Sequence, residues 1–526
     1  MKLKLLALVL LAFSTISYSQ QKMIVFLDEK TDQEVQRTDF TARSLERRSN
    51  RSIEFDEKDK PVNPKYITQL GDDGKILNTS RWLNAVTYET DLSVDDLQAK
   101  YEFIARIKPV GKGKPSENSK FETATKALDY GQGAAQVAQI NLQCLHNLGY
   151  TGSGIYLGII DAGFSNMDGI NYFDTVYNES RVIDVYNFVT GSSQVYNSSG
   201  HGTSVASCIV GEKGVPDSFA GTAIDVDLAL YLAEDVGSET EIEEFNVVAA
   251  LERCDSVGVD VVNISLGYFA FDDSLTSHVY ADLDGNTTIA AMGVNVAASR
   301  GIAVVMSAGN SGPSNISTPC DSDDGLCIGA VDFFGDLAGF SSVGPNADGQ
   351  VKPDVAARGQ DTWFVDAGSG DLVTGNGTSF SSPIMAGATA CLIQAHPTKT
   401  VAEIFDAIRQ SASQFTTPDQ FKGYGIPDLC AAHNLLEGVG LEEIEEQQLL
   451  VFPNPAKDLI VVELINASNQ TEVLLLNALG EVVDETSAME LIQKAVFKVQ
   501  HLSNGIYTIQ VRNENSVQHA KVMISH

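Results

Sequence analysis

Apolar positions along this 526-residue chain follow three different rules in three successive stretches. The middle stretch carries nearly continuous apolar runs: Ile155 to Ile160, which ends at Asp161, then Val261 to Leu266, and Ile302 to Met306. Runs that do not alternate with polar residues suit strands buried on both faces, which is the habit of parallel sheets. Helical stretches, Glu243 to Cys254 and Val294 to Ser299, precede the second and third runs. Strands alternating with helices predict an α/β domain, a mostly parallel sheet flanked by helices. Two further segments, Thr203 to Val210 and Ser381 to Gln394, are small and apolar enough for buried helices. Pro383 is expected in the first turn of the second, where a helix has no use for its NH.

The N-terminal stretch begins with Lys2 and Lys4, a short apolar run from Leu5 to Phe13, and small residues at Ser17 and Ser19. This predicts a secretory signal peptide over residues 1–19, too short for a membrane span. No later apolar stretch approaches about 18 uninterrupted residues, so no transmembrane helix is expected. Residues 20–120 read as a small α+β unit. It has strand-like Met23 to Leu27 and Trp82 to Tyr88, a helix from Ser93 to Tyr101, and a strand from Phe103 to Val110. Gly111 to Ser119 then reads as an exposed linker open to cleavage. At the other end, residues 449–526 change to short alternating runs, Leu459 to Leu464, Val473 to Leu476 and Gly505 to Val511, which imply a small β-sandwich. Residues 129–436 form the central domain, and the acidic run at Glu442, Glu443, Glu445 and Glu446 makes 437–448 a linker.

Charge narrows the function. With 69 acidic and 35 basic side chains the formal charge is −34, which excludes nucleic acid as a natural partner and suits an exported, soluble protein. The seven cysteines are an odd number, so at least one has no partner within the chain. Cys208 and Cys391 fall on the predicted buried helices. Cys320 and Cys327 are near enough to bridge, but Cys327 starts an apparent strand, and both outcomes stay open.

Three segments carry the chemistry, in the order Asp, His, Ser: Gly158 to Gly163 around Asp161, Gly200 to Ser204 around His201, and Gly377 to Pro383 around Ser379. An alcohol is a weak nucleophile at neutral pH. Ser379 needs a base such as His201, and His201 needs a carboxylate such as Asp161 to fix its tautomer and stabilise the imidazolium. Each segment alone is common, and their combination in this order is specific. The longer words, Ile159-Ile160-Asp161-Ala162-Gly163, Gly200-His201-Gly202-Thr203-Ser204-Val205-Ala206 and Gly377-Thr378-Ser379-Phe380-Ser381-Ser382-Pro383, resemble the signature blocks of the subtilisin-like serine peptidases, the subtilases.

The resemblance implies further roles. Val262 to Gly267 is similar to the family's substrate-binding strand, so Ser265, Leu266 and Gly267 are expected to pair with substrate backbone. Met306 to Gly312 is similar to the segment carrying its oxyanion-hole asparagine, here Asn310, whose alternative is a loop asparagine satisfying its own backbone. Lys352 to Gly359 resembles another family block, except that Arg358 stands where proline is usual, which puts a loop conformation in question. Residues 20–120 resemble the inhibitory propeptide, against a plain N-terminal binding domain. The order of words in residues 449–526 resembles the sorting domain of the type IX secretion system of Bacteroidota, against an adhesion or carbohydrate-binding module. The oxygen-rich Asp282, Asp284 and Asn286 suggest a structural calcium ion or, alternatively, a helix-capping turn.

Together these imply a secreted or surface-attached serine endopeptidase made as a zymogen, needing no cofactor for catalysis. Its partners would be protein or peptide substrates, its own propeptide as an intramolecular inhibitor, and the outer-membrane secretion machinery. The competing classes are a catalytically silent surface or adhesion protein on the same scaffold, and an esterase or peptide ligase using the same acyl-enzyme chemistry.

Overall fold

The computed structural model describes residues 21–31, 34–111, 122–123, 130–214, 218–438, 450–463, 472–477, 482–487, 494–512 and 517–525. The expected signal peptide, the linker from residue 112 and the acidic linker from residue 439 lie outside the described residues. The N-terminal unit contains β1 (Gln21–Leu27), α1 (Ala42–Asn50), α2 (Pro64–Leu70), β2 (Gly74–Ser80), β3 (Ala85–Thr90), α3 (Val94–Lys100) and β4 (Ile104–Pro109). Its strands pair antiparallel in the order β2-β3-β1-β4. Alternation along β1 divides its side chains. Met23, Val25 and Leu27 enter the unit's own core with Val86, Tyr88 and Leu97, while Ile24 and Phe26 turn to the other face.

The predicted parallel sheet is present, with seven strands. They are β5 (Tyr156–Asp161), β6 (Val182–Asn187), β7 (Asp227–Leu232), β8 (Val261–Ile264), β9 (Ala303–Ser307), β10 (Leu326–Val331) and β11 (Val355–Arg358). The order is β11-β10-β9-β8-β5-β7-β6, and every pairing is parallel. The apolar runs are continuous because both faces are covered, and the two-residue period sends neighbours to opposite cores. Leu157, Ile159, Val261, Ala303 and Val305 enter one core, and Ile160, Val262, Val304 and Met306 the other.

The first core is completed by α4 (His201–Val210) and α7 (Thr378–Ala395). The second is completed by α5 (Glu241–Val257) and α6 (Ile289–Ser299), together with Ile24, Phe26, Trp82 and Ala85 of the N-terminal unit. That unit is therefore packed on the central domain by the apolar face its alternation left over. Charge adds to the contact. Arg47 and Arg48 of α1, both 2% exposed, and Arg81 surround the fully buried Asp255 of α5.

Several expectations need correction. The helices read as Glu243 to Cys254 and Val294 to Ser299 start two and five residues earlier, as α5 and α6, and α5 also runs on to Val257. Helix α7 begins at Thr378, so Pro383 stands in its second turn. Glu437, assigned to the acidic linker, closes the helix Leu429–Glu437, which Gly438 caps. Cys320 and Cys327 do bridge although Cys327 lies in β10. A second disulfide joins Cys144 to Cys430, 286 residues apart, and Cys208, Cys254 and Cys391 stay free and buried. Among the described C-terminal residues, antiparallel sheets of three and four strands enclose a common apolar core in which Phe497 and Tyr507 are buried. No helix among the described residues is long and apolar enough to cross a membrane.

Candidate active site

Asp161, His201 and Ser379 come from three separate elements and meet at the carboxyl edge of the sheet. Asp161 is the last residue of β5 and is fully buried. Its Oδ1 accepts from the Ala162 NH and faces His201 Nδ1, both at 2.8 Å. Oδ2 is buried with no hydrogen-bond partner among the described residues. His201 opens α4, and its side chain is one-third exposed. The glycine after it is a packing requirement: a Cβ on Gly202 would lie 2.6 Å from the Gly163 carbonyl oxygen and 3.0 Å from Asp161 Cβ. Desolvation pulls the His201 pKa down, but the Asp161 charge and hydrogen bond, with a smaller push from Glu234, carry it above its ordinary value.

Ser379 is the second residue of α7, where backbone NH groups have no intrahelical acceptor and the helix dipole favours negative charge. Pro383 explains how it is tied down. Lacking an NH, Pro383 leaves the carbonyl four residues earlier, that of Ser379, without a helical donor. Ser265 Oγ donates to that carbonyl at 3.1 Å, and Ser379 Oγ points back to the Ser265 carbonyl at 3.4 Å. Asn263 and Ser382 complete a buried network around Ser265. These two supports escaped sequence reading, although Ser382 was visible in the Gly377 to Pro383 word one helical turn after Ser379. Among the described residues the Ser379 hydroxyl makes no hydrogen bond to His201. Such contacts are often long before substrate arrives.

Asn310 is exposed near the start of the loop after β9, and its amide is oriented by Thr378. Its Oδ1 accepts from the Thr378 NH at 2.8 Å and from the Thr378 hydroxyl at 3.0 Å, which leaves Nδ2 as a free donor. The position a Cβ would take on Gly377 is 3.7 Å from Asn310 Nδ2 and 3.7 Å from the Ser379 backbone N. Asn310 Nδ2, the Ser379 N and the Phe380 ring thus lie on the side of Gly377 where a side chain would project. Beyond β8, Leu266 is buried and Gly267 exposed, and neither makes a backbone hydrogen bond among the described residues. This short segment follows β8 with its backbone groups unpaired among the described residues, and Ser265 ties it to Ser379.

The calcium candidates do not come together. Asp284 accepts from the Asn286 and Thr287 NH groups and the Thr287 hydroxyl, Asp282 accepts from the Val279 NH, and Asn286 donates to Asp323. Their oxygens serve turns before α6, the capping alternative, because short Asp and Asn side chains reach local NH groups first. The donor set as placed does not fit an ion. Arg358 holds its loop directly, with Nε donating to the Gln360 carbonyl and Nη2 to that of Asp361.

Residues 152–425 match the model of the Subtilase family, residues 22–124 that of the Peptidase S8 propeptide domain of Bacteroidota, and residues 450–525 that of the Secretion system C-terminal sorting domain. The chain is 27% identical to Subtilisin BL of Lederbergia lenta over 296 residues, which is 56% of this chain and 97% of that protein. It is 29% identical over 293 residues to Subtilisin amylosacchariticus of Bacillus subtilis subsp. amylosacchariticus, 55% of this chain and 68% of that one. Among solved structures, the MycP3 protease from the type VII (ESX-3) secretion system aligns with a TM-score of 0.48 at 20% identity, covering 61% of this chain and 94% of that one.

Proposed function

Since the chain belongs to the subtilase family and is a serine endopeptidase, secreted or held at the cell surface and made with a propeptide, we propose that Asp161, His201 and Ser379 are its catalytic triad and that it works through an acyl-enzyme. Ser379 Oγ attacks the scissile carbonyl carbon while His201 Nε2, the nitrogen turned away from Asp161, takes the hydroxyl proton. The carbonyl π electrons move to oxygen, and the oxyanion accepts from Asn310 Nδ2 and the Ser379 NH. Collapse breaks the C–N bond, and the leaving amine takes the proton from His201. Water then enters, His201 removes its proton as the water oxygen bonds to the acyl carbon, and the acyl–Ser379 ester bond breaks as His201 returns the proton to Ser379 Oγ and the acid leaves. Asp161 holds the imidazole tautomer and stabilises its positive form.

Substrate backbone adds as a strand to Ser265, Leu266 and Gly267, a mode that gives affinity without strong sequence choice. The propeptide, residues 20–120, acts as an intramolecular inhibitor, and the C-terminal domain, residues 449–526, engages the secretion machinery. None of these steps needs a cofactor, and no role is assigned to calcium.

The observation that carries the reading is the 2.8 Å pairing of the buried Asp161 with His201 at a helix start, with Ser379 at the start of a second helix whose first residue, Thr378, orients the Asn310 amide. The test is Ser379→Ala. The variant is expected to fold, to lose casein hydrolysis, and to keep its propeptide attached when no other protease is present. Hydrolysis by a clean preparation of the variant refutes the mechanism.

A further inference from the structure

Away from the triad, two buried imidazoles meet where two helices of the central domain end. Helix α7, which carries Ser379 at its start, stops at Ala395, and His396 is its C-terminal cap. The helix Leu429–Glu437 brings His433 and, one turn later on the same face, Glu437. His396 Nε2 stands 2.8 Å from His433 Nδ1, and His396 Nδ1 stands 3.7 Å from Glu437 Oε1. The two histidines are 6% and 9% exposed, while the Glu437 side chain is half exposed.

One ligand atom from each of these three residues lies within 4.8 Å of the other two, and among the described residues no other three His, Cys, Asp or Glu groups meet that condition. Ligands of a tetrahedral zinc ion stand about 3.3–3.6 Å from one another, given metal–ligand bonds of about 2.0–2.2 Å. A small parting of the rings and a swing of the half-exposed Glu437 carboxylate therefore complete the set, and the ion takes one unprotonated nitrogen from each ring. Charge favours a cation here. Glu437 supplies a negative charge, and the carbonyl ends of both helices add the negative poles of their dipoles. Lys399, a nearby cation, is turned to Glu403 at 3.1 Å. Two imidazoles and a carboxylate suit zinc, whereas calcium and magnesium prefer oxygen ligands alone.

The place of the cluster indicates its use. The helix Leu429–Glu437 is the last one described in the central domain, and its nine residues are too few to be stable alone. Its start is fastened by the Cys144–Cys430 bridge and by Asn141 Nδ2, which donates to the two Asp428 oxygens at 3.1 and 3.0 Å. An ion on His433 and Glu437 fastens its last turn as well, to the far end of the helix that carries Ser379.

We infer that His396, His433 and Glu437 bind one zinc ion, with its fourth position left to water, and that this ion clamps the last helix of the central domain to the end of α7. Its role is structural. No step of peptide hydrolysis passes through it, and the inference stands whether or not the peptidase mechanism does.

The experiment uses the full chain carrying Ser379→Ala, so that self-digestion does not interfere, stripped with a chelator and titrated with zinc chloride in a calorimeter. Expected is one zinc ion per chain with a Kd of about 10 µM or tighter, undisturbed by a large excess of calcium chloride. With zinc at about 100 times Kd, the Tm should rise by about 4 °C. Adding His433→Gln or Glu437→Gln should weaken zinc binding at least about tenfold, since loss of even an outer partner of a metal ligand costs about 10- to 100-fold. At the same zinc concentration the rise in Tm should then fall to about half or less. Glu437 lies at the surface, so its variant serves if His433→Gln does not fold. No zinc bound by the chain, zinc binding that the variants leave unchanged, or displacement of zinc by calcium overturns the site.

Discussion

Replacing Asn310 by alanine removes one donor from the proposed oxyanion hole and little else that touches substrate. Loss of one such donor costs about 2.7–4 kcal/mol of transition-state stabilisation, or about 100- to 1,000-fold in kcat. The structure adds a second, smaller effect. Asn310 Oδ1 also accepts from the Thr378 NH and hydroxyl, and two lost hydrogen bonds at about 0.5–1.5 kcal/mol each lower folding stability by about 1–3 kcal/mol. Thr378→Ala separates the effects, because it removes one of those bonds and leaves Nδ2 in place. The assay is kcat and KM on a tetrapeptide p-nitroanilide, with fully processed enzyme at a pH where His201 is neutral. Expected is a fall in kcat of at least about 100-fold for Asn310→Ala with KM within about threefold, since the interaction forms only in the transition state. Thr378→Ala should lose less than about tenfold. An Asn310→Ala enzyme within about threefold of the parent kcat refutes the assignment.

Other expectations follow from the same geometry. Because His201 is held above its ordinary 6.5 by Asp161 and must be neutral to accept the Ser379 proton, the acid limb of kcat/KM should lie above pH 6.5. Burial raises Glu234 to about 8, so it is largely neutral where His201 titrates and Glu234→Gln should leave the limb in place; a limb that moves to lower pH refutes that. Asp255→Asn leaves Arg47, Arg48 and Arg81 facing a neutral group, and breaking a buried charge set of this kind costs about 3–5 kcal/mol. The cut propeptide should then leave the variant on gel filtration under conditions where it stays on the parent. Desolvation favours the neutral acid, but the arginines outweigh it and hold Asp255 below its ordinary 3.8. Its contribution is therefore present above that value and lost only as pH falls through the depressed one, so the parent complex should survive at pH 5. Removing the Cys144–Cys430 bridge, which closes a separation of 286 residues, should cost about 2–5 kcal/mol, read as a lower Tm in Cys144→Ala/Cys430→Ala.

Much of the fold was legible because local pattern and tertiary environment agree. The unbroken apolar run before Asp161 announces a strand buried on both faces, and such a strand delivers its last residue to the sheet edge. The glycines around His201 and Ser379 announce close packing, which the Gly202 contacts explain. What escaped depends on partners far along the chain. Arg43, Arg47 and Arg48 in α1 look like a solvated face until Asp255 and Asp260 are brought against them, more than two hundred residues later. Cys144 and Cys430 carry no local sign of each other. Pro383 looked like a first-turn residue because the helix start was placed at Ser381, and its effect on the Ser379 carbonyl appears only once Ser265 is alongside.

The central claim is that Ser379 is the nucleophile. Its most direct test is labelling of the processed protein with a fluorophosphonate probe, followed by peptide mapping and set beside Ser379→Ala and a casein digest. The account predicts a single adduct on Ser379, with labelling and digestion both lost in the variant. Absence of an adduct in properly processed protein, or an adduct on another residue with digestion retained in Ser379→Ala, would contradict it.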